Sequence, residues 1–83
     1  MGVFHNLNEI GKMAEVKNLI EGLTDEILRV TEIQKEYDAL PHNAGAFASA
    51  LMTVAIKEAR ESQASGDIMR MMPALKELQE FEY

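Results

Sequence analysis

Apolar residues in the first half of the chain recur at Met13, Val16, Ile20, Leu23, Ile27, Val30 and Tyr37, and Gln34 fills the one gap in the series. The intervals alternate between three and four residues, the rhythm of a helix with one apolar seam. Helix is therefore expected from about Asn8 to Leu40. Pro41 ends it, because the residue before a proline avoids the helical region.

Gly22 interrupts this reading. It precedes Leu23-Thr24-Asp25-Glu26, where Thr24 is a good N-cap and two acids follow in the first turn. Leu23 and Leu28 occupy the staple positions on either side of that cap. The segment is either two helices, 8–21 and 25–39, or one long helix. The continuous form would run for about 48 Å, whereas a compact chain of this size has a radius of gyration of about 12 Å. A continuous helix would project beyond a monomer's core and leave its seam needing a second chain. The heptad favours continuity; the glycine and cap favour a break.

A further helix is expected over 43–62, with Asn43 as its N-cap. Residues 44–56 carry no charge, and a helix that is apolar all round is expected to be buried. Ala44, Ala48, Ala55 and Ala59 line one side and should allow a neighbouring helix to approach closely; Phe47, Leu51 and Val54 mark another side. Ser62-Gln63-Ala64-Ser65-Gly66 reads as a loop. A last helix over 67–81 follows, capped by Ser65 or Asp67, with a stripe of Ile68, Met71, Met72, Leu75, Leu78 and Phe81. Pro73 lies inside it, so the helix either kinks there or restarts with Pro73 in its first turn. No alternating run of β-branched residues signals a strand. The fold class is all-α: a small antiparallel bundle of three to four helices, expected to be oligomeric. It forms one domain over 1–83, with 1–7 as a flexible N-terminus.

Composition sharpens the expectation of a partner. Of 83 residues, 47% are hydrophobic, but ten of these are alanines, which bury little area. A small domain hides only about 60% of its unfolded surface, so its core is marginal. Six methionines are the most unusual feature. Met69, Met71 and Met72 cannot all face one core stripe at about 100° per residue, and adaptable methionine surfaces occur at protein-binding sites. The expected interface is Met69, Met72, Leu75, Leu78 and Phe81, with plain core packing as the alternative. Gln34, polar at a seam position, either fixes register and oligomer state or is simply exposed.

The net charge of −6 argues against nucleic acid and anionic membranes as partners, since the eight basic residues are scattered rather than clustered. The chain has no cysteine, so it offers no disulfide, thiolate nucleophile or zinc–thiolate site. The first twenty residues lack the apolar run of a signal peptide. A cytoplasmic location is expected.

Candidate chemistry is thin. His5 and His42 stand outside any His-x-x-x-His or Glu-x-x-His arrangement, although His42, Asp38 and a distant carboxylate could in principle hold a metal. Glu32 and Glu36 lie one turn apart, but Arg29 and Lys35 flank Glu32, as on a solvated, paired face. The hydroxyls of Ser49, Ser62, Ser65, Thr24, Thr31 and Thr53 have no histidine or acid at triad spacing, and no glycine-rich phosphate loop is present. No catalytic residue, metal ligand or cofactor is assigned. The reading is a non-enzymatic intracellular protein–protein interaction module that self-associates. Two alternatives remain: an acidic inhibitor of a nucleic-acid-binding protein, drawing on Glu15, Glu21, Asp25, Glu26, Glu32 and Glu36, and a metal-binding or catalytic bundle.

Overall fold

The computed structural model describes residues 2–82, with side chains from residue 15 onward. Among these residues it is all-helical, with no strand: α1 spans Gly2–Asp38, α2 Ala46–Ser65 and α3 Ile68–Gln79, and a 3-10 turn, Pro41–Asn43, joins the first two. Residues 2–7 are the opening turns of α1. The side chains of His5 and Met13 lie outside the described residues.

α1 does not break at Gly22. A mid-helix glycine costs about 1 kcal/mol relative to alanine, but continuity lets one seam run across it. Leu23, Ile27, Val30 and Ile33 are buried beyond the glycine, and Val16, Leu19 and Ile20 pack against the same core before it. Thr24 is not a cap. Its hydroxyl donates to the Ile20 carbonyl at 3.0 Å, one turn back, as a mid-helix threonine does. Leu28, expected in a staple, is exposed. The two-helix alternative for 8–39 is thus corrected to one helix, and the four-helix form of the bundle to three.

α2 starts three residues later than expected. His42 and Asn43 both have left-handed backbone, with φ of 57° and 59°. Asn43 therefore ends the 3-10 turn two residues before the N-cap position and does not cap α2. Gly45 takes the cap position without a side-chain bond. It is a site of close approach: a Cβ there would lie 2.7 Å from the Tyr37 carbonyl carbon and 2.9 Å from its Cα. Only glycine lets the start of α2 pass so near the end of α1.

α2 continues to Ser65, beyond the expected Ser62, and closes on Gly66, which is left-handed at φ 67°. The Asp67 carboxylate then accepts from the Met69 N–H at 3.0 Å and caps α3. α3 runs through Pro73 without restarting. Pro73 is exposed, where the carbonyl its ring leaves unbonded can be hydrated.

Hydrogen bonds fix the order and direction of the helices. Gln34, late in α1, donates to the Ser49 carbonyl at 3.0 Å and the Thr53 hydroxyl at 2.7 Å, early in α2. Gln63, late in α2, donates to the Ile20 carbonyl at 2.9 Å and the Thr24 hydroxyl at 2.8 Å. Each threonine donates in turn to the same carbonyl, Thr53 to Ser49 at 3.2 Å and Thr24 to Ile20 at 3.0 Å. One latch is therefore built twice, once from each helix, and α1 and α2 are antiparallel. α3 runs parallel to α1: Leu75 lies against Gly22, and Arg29 donates to the carbonyls of Leu78 at 2.9 Å and Phe81 at 2.8 Å. The Leu78 carbonyl also accepts the Phe81 N–H at 3.2 Å, so the Arg29 bonds tie the turn that follows α3 to α1.

The core is Leu23, Ile27, Val30 and Ile33 of α1, Met52, Ala55 and Ala59 of α2, and Met71, Ala74 and Leu78 of α3. Alanine and serine on the inner side of α2 keep the helices close; Ser62 is fully buried and donates to Ala59 at 2.7 Å. Of the alanines expected to line this side, Ala55 and Ala59 are buried and Ala48 is half-buried. Ala44 precedes the helix and is exposed. At 37 residues α1 is about 55 Å long, against about 30 Å for the 20 residues of α2. The fold is accordingly a rod, 65 × 16 × 15 Å.

Candidate interaction surface

α2 is apolar all round over its first half but is not buried all round. Only two helices are available to cover it, and both lie on its Ser49–Met52–Ala55–Ala59 side. The opposite side keeps Phe47 at 78%, Leu51 at 46% and Val54 at 64% of full exposure. These positions recur at four and three residues and form one stripe on the helix. The expectation that this helix is wholly buried is corrected: a three-helix bundle has no element left for its second face.

The five residues of the expected interface on the last helix part company. Leu78 is fully buried in the chain's own core, and Leu75 and Phe81 are half-buried against it. Met69 at 81% and Met72 at 55% exposure remain outward, one turn apart. Met71, between them in sequence, is buried, as is Met52. The methionine cluster thus divides into core and surface, as 100° per residue requires.

Opposite charges interleave over the rest of the surface. Arg29 pairs with Glu26, and Lys35 with Glu32 at 3.0 Å, along the α1 face where an acidic mimic would gather carboxylates. Arg70 of α3 bridges Glu58 at 3.0 Å and Glu61 at 3.2 Å on α2. The hydrogen bond from Arg70, aided by its charge, holds the Glu58 carboxyl below its usual value, and the same bond raises Arg70.

Gln34, expected either at a seam or in solvent, is half-buried in the α1–α2 groove as one of the two latches. An open groove of about 370 Å³ begins beside it, lined by Thr31, Thr53, Ile56, Lys57, Arg60 and Glu61. The hydroxyls weighed as nucleophiles are engaged in local bonds. Thr31 donates to Ile27 at 2.6 Å, Ser65 to Ser62 at 2.7 Å, and Ser49 accepts from Gln34 at 3.3 Å. Among the described residues no three His, Asp or Glu side chains are gathered as a metal ion would require, and no helix is long and apolar enough to cross a membrane.

Sequence reasoning placed Phe47, Leu51 and Val54 together on one side of a helix but not on the surface. The number of covering helices decides that, and it depended on Gly22. Comparison of the chain with protein-family models, curated proteins and solved structures finds no match.

Proposed function

We propose that this protein is a non-enzymatic, cytoplasmic interaction module that associates with itself through apolar helix surface. The exposure of Phe47, Val54 and Met69, each above 60%, carries the reading. Exposed apolar side chains scattered singly need no explanation, whereas Phe47 and Val54 share one stripe of α2 with Leu51, and such grouped exposure on a small chain marks interaction sites. The length of α1 supports it, since the helix outruns the two it packs against.

Light scattering on the purified chain at micromolar concentration tests the proposal. A mass above that of one chain is expected, and Met72→Asp, on the methionine patch of α3, shows whether that patch takes part. A strict monomer whose Met72→Asp variant is equally soluble and folded overturns self-association.

A further inference from the structure

We infer that the seat of self-association is the Phe47–Leu51–Val54 face of α2, and that its occupant is the same face of a second copy, lying antiparallel across a two-fold axis near Leu51. This rests on the self-association reading above and gives it a surface and a geometry.

Charge selects both the surface and the occupant. Two copies of a chain with net charge −6 repel unless the contact itself is free of like charges. A two-fold interface sets a surface patch against itself, so any face lined with carboxylates opposes its own sign. The exposed residues of α1 include Glu15, Glu21, Asp25, Glu32 and Glu36. On α3, Met72 lies beside Lys76, and Arg70 next to Met69 is already held by Glu58 and Glu61, so that patch is ringed by charged groups. By contrast, no Asp, Glu, Lys or Arg occurs from Ala39 to Ile56. The exposed α2 stripe sits within that stretch, with the exposed small residues Ala46 and Ala50 beside it to admit a close neighbour.

The same reasoning sets the direction. In a parallel pair, Lys57 would face Lys57 and Arg60 would face Arg60 of the second copy, with the helix dipoles aligned unfavourably. In the antiparallel pair Leu51 meets its own equivalent and Phe47 meets Val54. The charged second half of α2 then passes toward the uncharged start of the other copy. An aromatic side chain buries roughly 150–250 Å² when fully covered, and with Leu51 and Val54 only part-exposed the three residues offer on the order of 300 Å² per copy. The contact falls below the size of permanent interfaces, so the dimer is a weak one that dissociates on dilution.

The absence of native cysteine makes the geometry directly testable. Single variants Leu51→Cys, Phe47→Cys, Val54→Cys and, as a control, Met69→Cys are oxidised with copper phenanthroline under air. Leu51→Cys is expected to form a covalent dimer fastest. Phe47→Cys and Val54→Cys are each slow alone, because their equivalents lie about 10 Å apart along the axis and a disulfide needs Cα atoms within about 7 Å. An equimolar mixture of these two is expected to cross-link to each other.

Equal self-linking by Phe47→Cys, Leu51→Cys and Val54→Cys overturns the antiparallel geometry. Linking by Met69→Cys alone overturns the surface. Sedimentation of Val54→Asp, with helix content checked by circular dichroism, separates the two readings. Association weakened at least about tenfold is expected, from burying a charge against Phe47. A wild type that dimerises equally well as Val54→Asp removes only the α2 face, whereas a monomeric wild type removes self-association with it.

Discussion

Replacing Gly22 by alanine asks directly whether α1 is one helix. In a continuous helix the glycine costs about 0.8–1.0 kcal/mol relative to alanine, because its backbone loses more freedom on folding. The added methyl would meet Leu75 Cδ2 at 3.8 Å and Cδ1 at 3.9 Å, ordinary contact distances that require nothing to move. Gly22→Ala should therefore stabilise the protein by about 1 kcal/mol. For a chain of this length that corresponds to a rise of about 4–8 °C in Tm. Urea and thermal melts followed by circular dichroism measure it, at one fixed low protein concentration so that association does not contribute. An unchanged urea slope would show that the variant unfolds from the same state. A loss of about 1 kcal/mol or more would refute the reasoning, since it would mean that the chain turns at Gly22 in a conformation alanine resists.

Gly45→Ala should act in the opposite sense. The new methyl would press on the Tyr37 backbone, which cannot rotate away, and a cost of about 1–3 kcal/mol is expected in the same melts. Gln34→Ala and Gln63→Ala should each cost about 1 kcal/mol. Their effects should add in the double variant, because the latches share no residue and sit about 15 Å apart along α1. Glu58 is more acidic folded than unfolded, so its pair with Arg70 stabilises above the usual carboxylate range and is lost as pH falls through and below it. Glu58→Gln should thus flatten the acid side of the stability profile in urea titrations across pH, with a small effect because the pair is solvent-exposed.

Much of α1 was legible because period and burial coincide: Leu23, Ile27 and Val30 are seam positions in the sequence and core in the fold. Ile33 was not, because counting in sevens places Gln34 there. At about 100° per residue Gln34 still lies on the seam side of α1, where it meets α2 and forms a latch, while Ile33 is buried on the adjoining side of the same face. Asp67 was legible as a cap from local chemistry alone. The start of α2 was not, since the left-handed backbone at His42 and Asn43 and the approach of Gly45 to Tyr37 belong to the tertiary arrangement.

The latches were hidden for a similar reason, with Gln63 meeting Ile20 across 43 residues. The candidate surface was half legible. The stripe of Phe47, Leu51 and Val54 follows from spacing. Its exposure follows only from there being three helices, which the competing signals around Gly22 left undecided. Leu78 shows the converse error: a residue assigned to a partner is consumed by the chain's own core.

Sedimentation equilibrium of the unmodified chain over a range of concentrations tests the central claim most directly. The account predicts a mass that climbs from 9.3 kDa in dilute solution toward twice that value in the upper micromolar range, with a single two-fold equilibrium fitting all concentrations. A mass of one chain throughout would contradict it, leaving the apolar face of α2 as bare surface with no role in self-association.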